Sequence, residues 1–121
     1  MNWEFATATR IVFGRGKIAE VPAALKAQHV RRVLVATNLP GPGWERVHAL
    51  LATAGMEIVV FPVTGEPTVD LVLAGRDRCR QESCDAVIGL GGGSAMDTAK
   101  AVSAMATNPG DILDYLEVVG S

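Results

Sequence analysis

Aromatic residues make up only 5% of the 121-residue chain, and there are just two cysteines, Cys79 and Cys84. Two cysteines are too few for a disulfide-built secreted scaffold. No stretch approaches the roughly 18–20 apolar residues of a membrane span. The opening Met1-Asn2-Trp3-Glu4-Phe5 lacks the basic start and apolar run of a signal peptide. Charge of either sign is also in short supply: 11 Lys and Arg face 13 Asp and Glu, a net charge of -2. That balance speaks against nucleic-acid binding by bulk charge. With 49% hydrophobic residues the chain is too apolar to be generally disordered. The expectation is a cytoplasmic protein that binds neither membrane nor nucleic acid.

What is abundant is Ala, Val, Leu and glycine, 13 of the last. The length suits one domain, residues 1–121. Trp3–Phe13 reads as extended, closed by Gly14 and Gly16. From Lys17 to Ala27, Ile18, Val21, Ala24 and Leu25 recur at helical spacing, with Pro22 in the first turns. Val33–Thr37 is a continuous apolar run, the mark of a strand covered on both faces, and it stops at the breakers of Asn38–Gly43. Trp44–Ala54 reads as a helix with Gly55 as its C-cap, and Met56–Phe61 as a strand. After a loop at Pro62–Pro67, Thr68 is placed to cap a helix running to Glu82, with Asp70 in its first turn. Asp85–Leu90 is a further buried strand, and Ala95–Thr107 an Ala-rich helix. Asp111 would cap a short last helix through Tyr115 and Leu116. The tail beyond it, with Leu116, Val118 and Val119, reads as cut before its next element and as surface made to meet a second domain. This alternation predicts an α/β, Rossmann-like domain: a mainly parallel sheet with helices on both faces, joined by right-handed crossovers, after an N-terminal extended segment.

The chemistry concentrates in Gly91-Gly92-Gly93-Ser94, between a buried strand and a helix. Glycine lets a ligand approach bare peptide, and the helix start offers unpaired N–H groups at the positive end of its dipole. Such a junction is an anion site, most often for phosphate, with Ser94 able to add a hydroxyl. The competing reading is a tight turn or close helix–strand packing. The spacing fits neither the P-loop nor Gly-x-Gly-x-x-Gly, since Met96 stands three after Gly93. Asp97 and Lys100 can pair at i, i+3 as a surface couple; alternatively Asp97 orders the glycine loop or touches the ligand.

The run Gly91-Gly92-Gly93-Ser94-Ala95-Met96-Asp97-Thr98-Ala99-Lys100 resembles the signature of the iron-containing (group III) alcohol dehydrogenases. Arg10–Gly16 resembles that family's N-terminal strand and glycine turn, Cys84–Leu90 its strand before the loop, and Glu66-Pro67-Thr68 stands where many members have Asn-Pro-Thr. The likeness covers essentially the whole chain. It implies an N-terminal domain that binds NAD or NADP, with Gly91, Gly92, Gly93 and Ser94 around the pyrophosphate and Asp97 nearby. Asn38 takes the place of an Asp that holds the adenosine ribose in NAD-preferring members. Asn lacks the charge that repels a 2′-phosphate, so relaxed preference between NAD and NADP is expected. Glu66 would contact the adenosine side or sit solvated.

The family reaction is hydride transfer between nicotinamide and an alcohol/aldehyde or ketone pair, with a divalent metal, iron or zinc, polarising the substrate oxygen. The family holds that metal on an Asp and three His of a following helical domain, which this stretch lacks. The chain is therefore expected to be the nucleotide-binding part of a longer enzyme, with no catalytic residue and no metal ligand of its own. A homo-oligomer and a small-molecule alcohol/aldehyde substrate are expected by the same resemblance. His29 and His48 read as surface or helix-end residues, Cys79 and Cys84 as buried or half-buried thiols, and Arg76, Arg78 and Arg80 as a solvated helix face. Maleylacetate reductases, glycerol dehydrogenases and dehydroquinate synthases have related glycine loops; Ser94 favours the alcohol dehydrogenase branch and leaves maleylacetate reductase open. The reading from another class is a stand-alone, non-catalytic nucleotide-binding module.

Overall fold

Two runs of consecutive buried residues become neighbouring strands at the middle of one sheet. They are β2 (Arg32–Thr37) and β4 (Ala86–Gly91), paired in parallel with Val33 opposite Ala86. Both faces of each are covered, which is why neither sequence alternates. The computed structural model describes residues 10–13, 18–27, 29–39, 41–106 and 114–119. On one side of this pair lies β3 (Glu57–Pro62), whose buried Val59 and Phe61 alternate with more exposed residues as an edge strand's do. On the other side come β5 (Asp114–Val119) and then β1 (Arg10–Phe13). The order is β1-β5-β4-β2-β3, and every pairing is parallel.

Parallel neighbours need crossovers, and helices supply them. A short 3-10 turn (Ile18–Glu20) leads into α1 (Val21–Ala27); α2 (Gly41–Thr53), α3 (Val69–Gln81) and α4 (Gly93–Ala106) follow β2, β3 and β4. Val21 and Leu25 of α1 and Val47 and Leu51 of α2 pack with Val33, Val35, Ile88 and Leu90 on one face. Cys79 of α3 and Ala95, Ala99, Val102 and Ala106 of α4 pack with Leu34, Ala36 and Val87 on the other. Glycine sets how closely these layers meet. A Cβ on Gly89 would stand 2.9 Å from Ala99 Cβ and 3.3 Å from the Met96 backbone, so α4 rests directly on β4. One on Gly75 would meet Val102 Cγ2 at 2.6 Å, so α3 and α4 touch at that point.

The expected last helix is corrected: Tyr115 and Leu116 belong to β5, and Asp111 lies outside the described residues. β5 is bonded on both sides, Leu116 standing opposite Ile11 and Ile88. Two ladders to distant strands outweigh any local helical tendency. The backbone of Leu116, Val118 and Val119 therefore belongs to the sheet. Two helices also start earlier than expected. α2 begins at Gly41, because Pro42 is tolerated in a first turn whose N–H groups need no intrahelical partner. α4 begins at Gly93, taking Gly93 and Ser94 into the helix.

Three helices end in one motif. His29 (φ 61°), Gly55 (φ 85°) and Ser83 (φ 55°) each turn left-handed just past α1, α2 and α3. The next residue's N–H then reaches back five positions: Val30 to Leu25 O (3.0 Å), Met56 to Leu51 O (3.1 Å) and Cys84 to Cys79 O (2.9 Å). These are Schellman caps, in which the two residues so joined bring their side chains together. At the sheet's amino edge, Asp85 Oδ2 accepts the N–H groups of Arg31 (2.9 Å) and Arg32 (3.1 Å), while Arg32 Nε donates to Glu57 Oε1 at 2.7 Å.

Candidate functional site

The opposite, carboxyl edge is open. Adjacent strands β2 and β4 send their chains to opposite faces, β2 into α2 and β4 into α4. The diverging loops leave a crevice between them, the switch point at which parallel α/β sheets take ligands.

Asn38, at the end of β2, holds the first part of the glycine loop. Its Oδ1 accepts the Gly92 N–H at 3.2 Å. The turn that presents it is shaped by Thr37, whose Oγ1 accepts the Leu39 N–H at 3.0 Å. Gly91 has φ 127°, and a Cβ there would run into Asn38 Oδ1, so this glycine is required by the protein itself. Gly92 and Gly93 are different. Among the described residues, a Cβ on Gly93 would meet nothing within 4 Å, and one on Gly92 only Asn38 Nδ2 at 3.8 Å. Neither packing nor φ demands glycine at these two positions. Their absence of side chains leaves bare, exposed peptide at the mouth of the crevice.

The Gly92 carbonyl accepts the Met96 N–H at 3.1 Å, the first α-helical bond of α4. The N–H groups of Gly93, Ser94 and Ala95 then have no intrahelical acceptor, and no side chain among the described residues caps them. No acidic residue stands in the first turn of α4, so its positive dipole end is not offset locally. Bare peptide, unpaired N–H groups and a positive helix end can receive a phosphate or pyrophosphate. The donor set thus fits the diphosphate of a dinucleotide.

The structure joins Asn38, Gly91, Gly92, Gly93 and Ser94 at one place. Ser94 is the half-buried second residue of α4. Asp97 is exposed one turn further on, as is Lys100, and no ion pair joins the two. Glu66 is exposed in the loop after β3, on the same edge of the sheet but one strand further from β4, with no bond to the glycine loop. The tie from Asn38 to Gly92 escaped the sequence reading, since only the sheet order brings residues 54 positions apart together. Thr98, within the signature, is fully buried and its hydroxyl has no hydrogen-bond partner among the described residues. Exposed His29 forms the α1 cap and exposed His48 meets the Trp44 ring edge-on at 5.6 Å. Among the described residues no three His, Cys, Asp or Glu side chains cluster as metal donors, and no helix is long and apolar enough to cross a membrane.

A family model described as iron-containing alcohol dehydrogenase matches residues 8–121. The NAD-dependent methanol dehydrogenase of Bacillus methanolicus is 39% identical over 108 residues, 86% of this chain and 28% of its own length. Alcohol dehydrogenase 4 of Schizosaccharomyces pombe is 34% identical over 111 residues, 86% of this chain and 26% of that protein. Among solved structures, the NADH-dependent butanol dehydrogenase A of Thermotoga maritima superposes with a TM-score of 0.66 at 33% identity, covering 91% of this chain and 29% of that one. The chain thus spans under a third of the length of these relatives.

Proposed function

Since the chain belongs to the iron-containing alcohol dehydrogenase family, we propose that it is the nucleotide-binding part of an NAD(P)-dependent alcohol dehydrogenase. The observation that supports this most is the uncapped start of α4, with Gly92 and Gly93 open beside it at the β2–β4 switch point. There the N–H groups of Gly93, Ser94 and Ala95 would bind the pyrophosphate, and the Ser94 hydroxyl would add a donor. Asn38 holds the Gly92 peptide in place and so fixes the loop's shape. When bound, the nicotinamide of the dinucleotide exchanges a hydride with the carbinol carbon of an alcohol. This chain's share is to bind and orient the nucleotide. Iron or zinc as the partner metal, an alcohol/aldehyde substrate, a cytoplasmic setting and a homo-oligomer complete the reading at the level of the family. Donors for that metal do not cluster among the described residues, and the part played by this chain uses none of them.

Asn38 bears on the choice of cofactor. An Asp in its place would keep an oxygen for Gly92 while adding a negative charge. Asn38→Asp is expected to lower NADPH affinity relative to NADH.

The test is calorimetric titration with NADH, followed by competition with inorganic pyrophosphate. Binding displaced by pyrophosphate supports the seat; absence of binding overturns it. Hydride chemistry is tested by deuterium at C1 of a primary alcohol in the enzyme that carries this chain. Deuterium appearing on the nicotinamide supports the dehydrogenase. Bound nucleotide with no transfer would favour the non-catalytic binding module, the reading left open by the absence of any catalytic group at the loop.

A further inference from the structure

The caps that end α1 and α2 close on apolar pairs, Leu25 with Val30 and Leu51 with Met56. The cap of α3 has the same backbone geometry, but its pair is Cys79 and Cys84. Cys79 is buried, half-buried Cys84 packs against the same apolar cluster, and both are free thiols. A backbone hydrogen bond of 2.9 Å joins them. With standard bond lengths it holds the two Cα atoms within about 6.8 Å of each other. A disulfide spans about 4.4–6.8 Å between Cα atoms. We propose that Cys79 and Cys84 form a peroxide-sensitive dithiol that closes to an intramolecular disulfide, stapling the end of α3 to the segment that leads into β4.

The local chemistry agrees. The neighbouring Cys84 thiol lowers the Cys79 pKa against the opposing effect of burial; Arg80 lowers it further and Asp85 raises it. The neighbouring Cys79 sulfur and burial together raise Cys84 far above an ordinary thiol. Cys79 is thus the more easily ionised of the two thiols and the nucleophile of the pair. Half-buried Cys84 brings one member of the pair to solvent. The Cys79 thiolate attacks one peroxide oxygen; the O–O bond breaks, the departing hydroxide takes up a proton as water, and Cys79 becomes a sulfenic acid. The Cys84 sulfur then attacks the Cys79 sulfur; the S–O bond breaks and the hydroxyl leaves as water with the Cys84 proton. Two thiols and one peroxide give one disulfide and two waters. The closed pair would restrain Ser83 and Asp85, and through Asp85 the start of the strand that delivers the glycine loop.

The experiment treats the chain with hydrogen peroxide, then counts thiols by iodoacetamide labelling and measures the intact mass. The expected result is loss of both labelled thiols and of two hydrogens in mass, in a monomeric chain, reversed by dithiothreitol. The Cys84→Ser variant, altered only at the half-buried member, should instead gain oxygen on Cys79 and form no internal link. Two thiols still labelled after treatment would overturn the proposal. So would oxygen added to one cysteine of the unaltered chain, or a disulfide between two chains.

Discussion

Helices α3 and α4 lie side by side on one face of the sheet, yet they begin in opposite ways. α3 carries a side-chain cap at its start. Thr68 Oγ1 accepts the Leu71 N–H at 3.0 Å, its carbonyl accepts the Val72 N–H at 3.0 Å, and Asp70 sits in the first turn. Among the described residues α4 has neither a side-chain cap nor an acid in its first turn, and Gly92 and Gly93 leave open the space that Gly91 does not. α3 follows the edge strand β3, whereas α4 follows β4 at the switch point. The helix after the edge strand has one of its first N–H groups taken by a side chain. The helix that faces the crevice keeps them available.

Substitutions can break or sharpen that contrast. The largest effect belongs to Gly91→Ala, which places a methyl against Asn38 at a left-handed backbone position. It should cost about 2–4 kcal/mol in urea unfolding; a loss under about 0.5 kcal/mol would mean that the loop relaxes freely. Thr68→Ala should lose about 1 kcal/mol from the α3 cap, with NADH titration unchanged, since its hydroxyl is spent on the Leu71 N–H. Thr98→Val removes a buried hydroxyl without a partner. It should leave stability unchanged or raise it by up to about 1 kcal/mol, read from the thermal midpoint; a clear loss would show that the hydroxyl has a role. Gly93→Asp would make the start of α4 resemble that of α3. By complementing the dipole it should add about 0.3–1 kcal/mol to stability, while nucleotide affinity falls by charge repulsion.

Much of this contrast is written locally in the chain. Thr68 followed by Asp70 announces a capped helix, and Val33–Thr37 and Asp85–Leu90 announce covered strands, because capping and two-sided burial act through nearby residues. Glycine before α4 likewise marks an open helix start. Long-range pairing is not written that way. Tyr115 and Leu116 read as helical until β1 and β4 are seen to flank them. Asn38 reads as a turn residue or ribose ligand until the order β4-β2 brings it under Gly92. Gly91, Gly92 and Gly93 look alike in sequence. Only the structure separates the one the fold requires from the two it leaves open.

That separation is tested most directly by Gly93→Val, measured by NADH titration alongside thermal unfolding. A Cβ at this position meets nothing within 4 Å among the described residues beyond its own helix backbone and chain neighbours, so the free chain should keep its stability to within about 1 kcal/mol. The same side chain would fill the space in which the pyrophosphate is placed, and NADH affinity should fall at least about tenfold. Unchanged NADH affinity in a stable Gly93→Val chain would contradict the account.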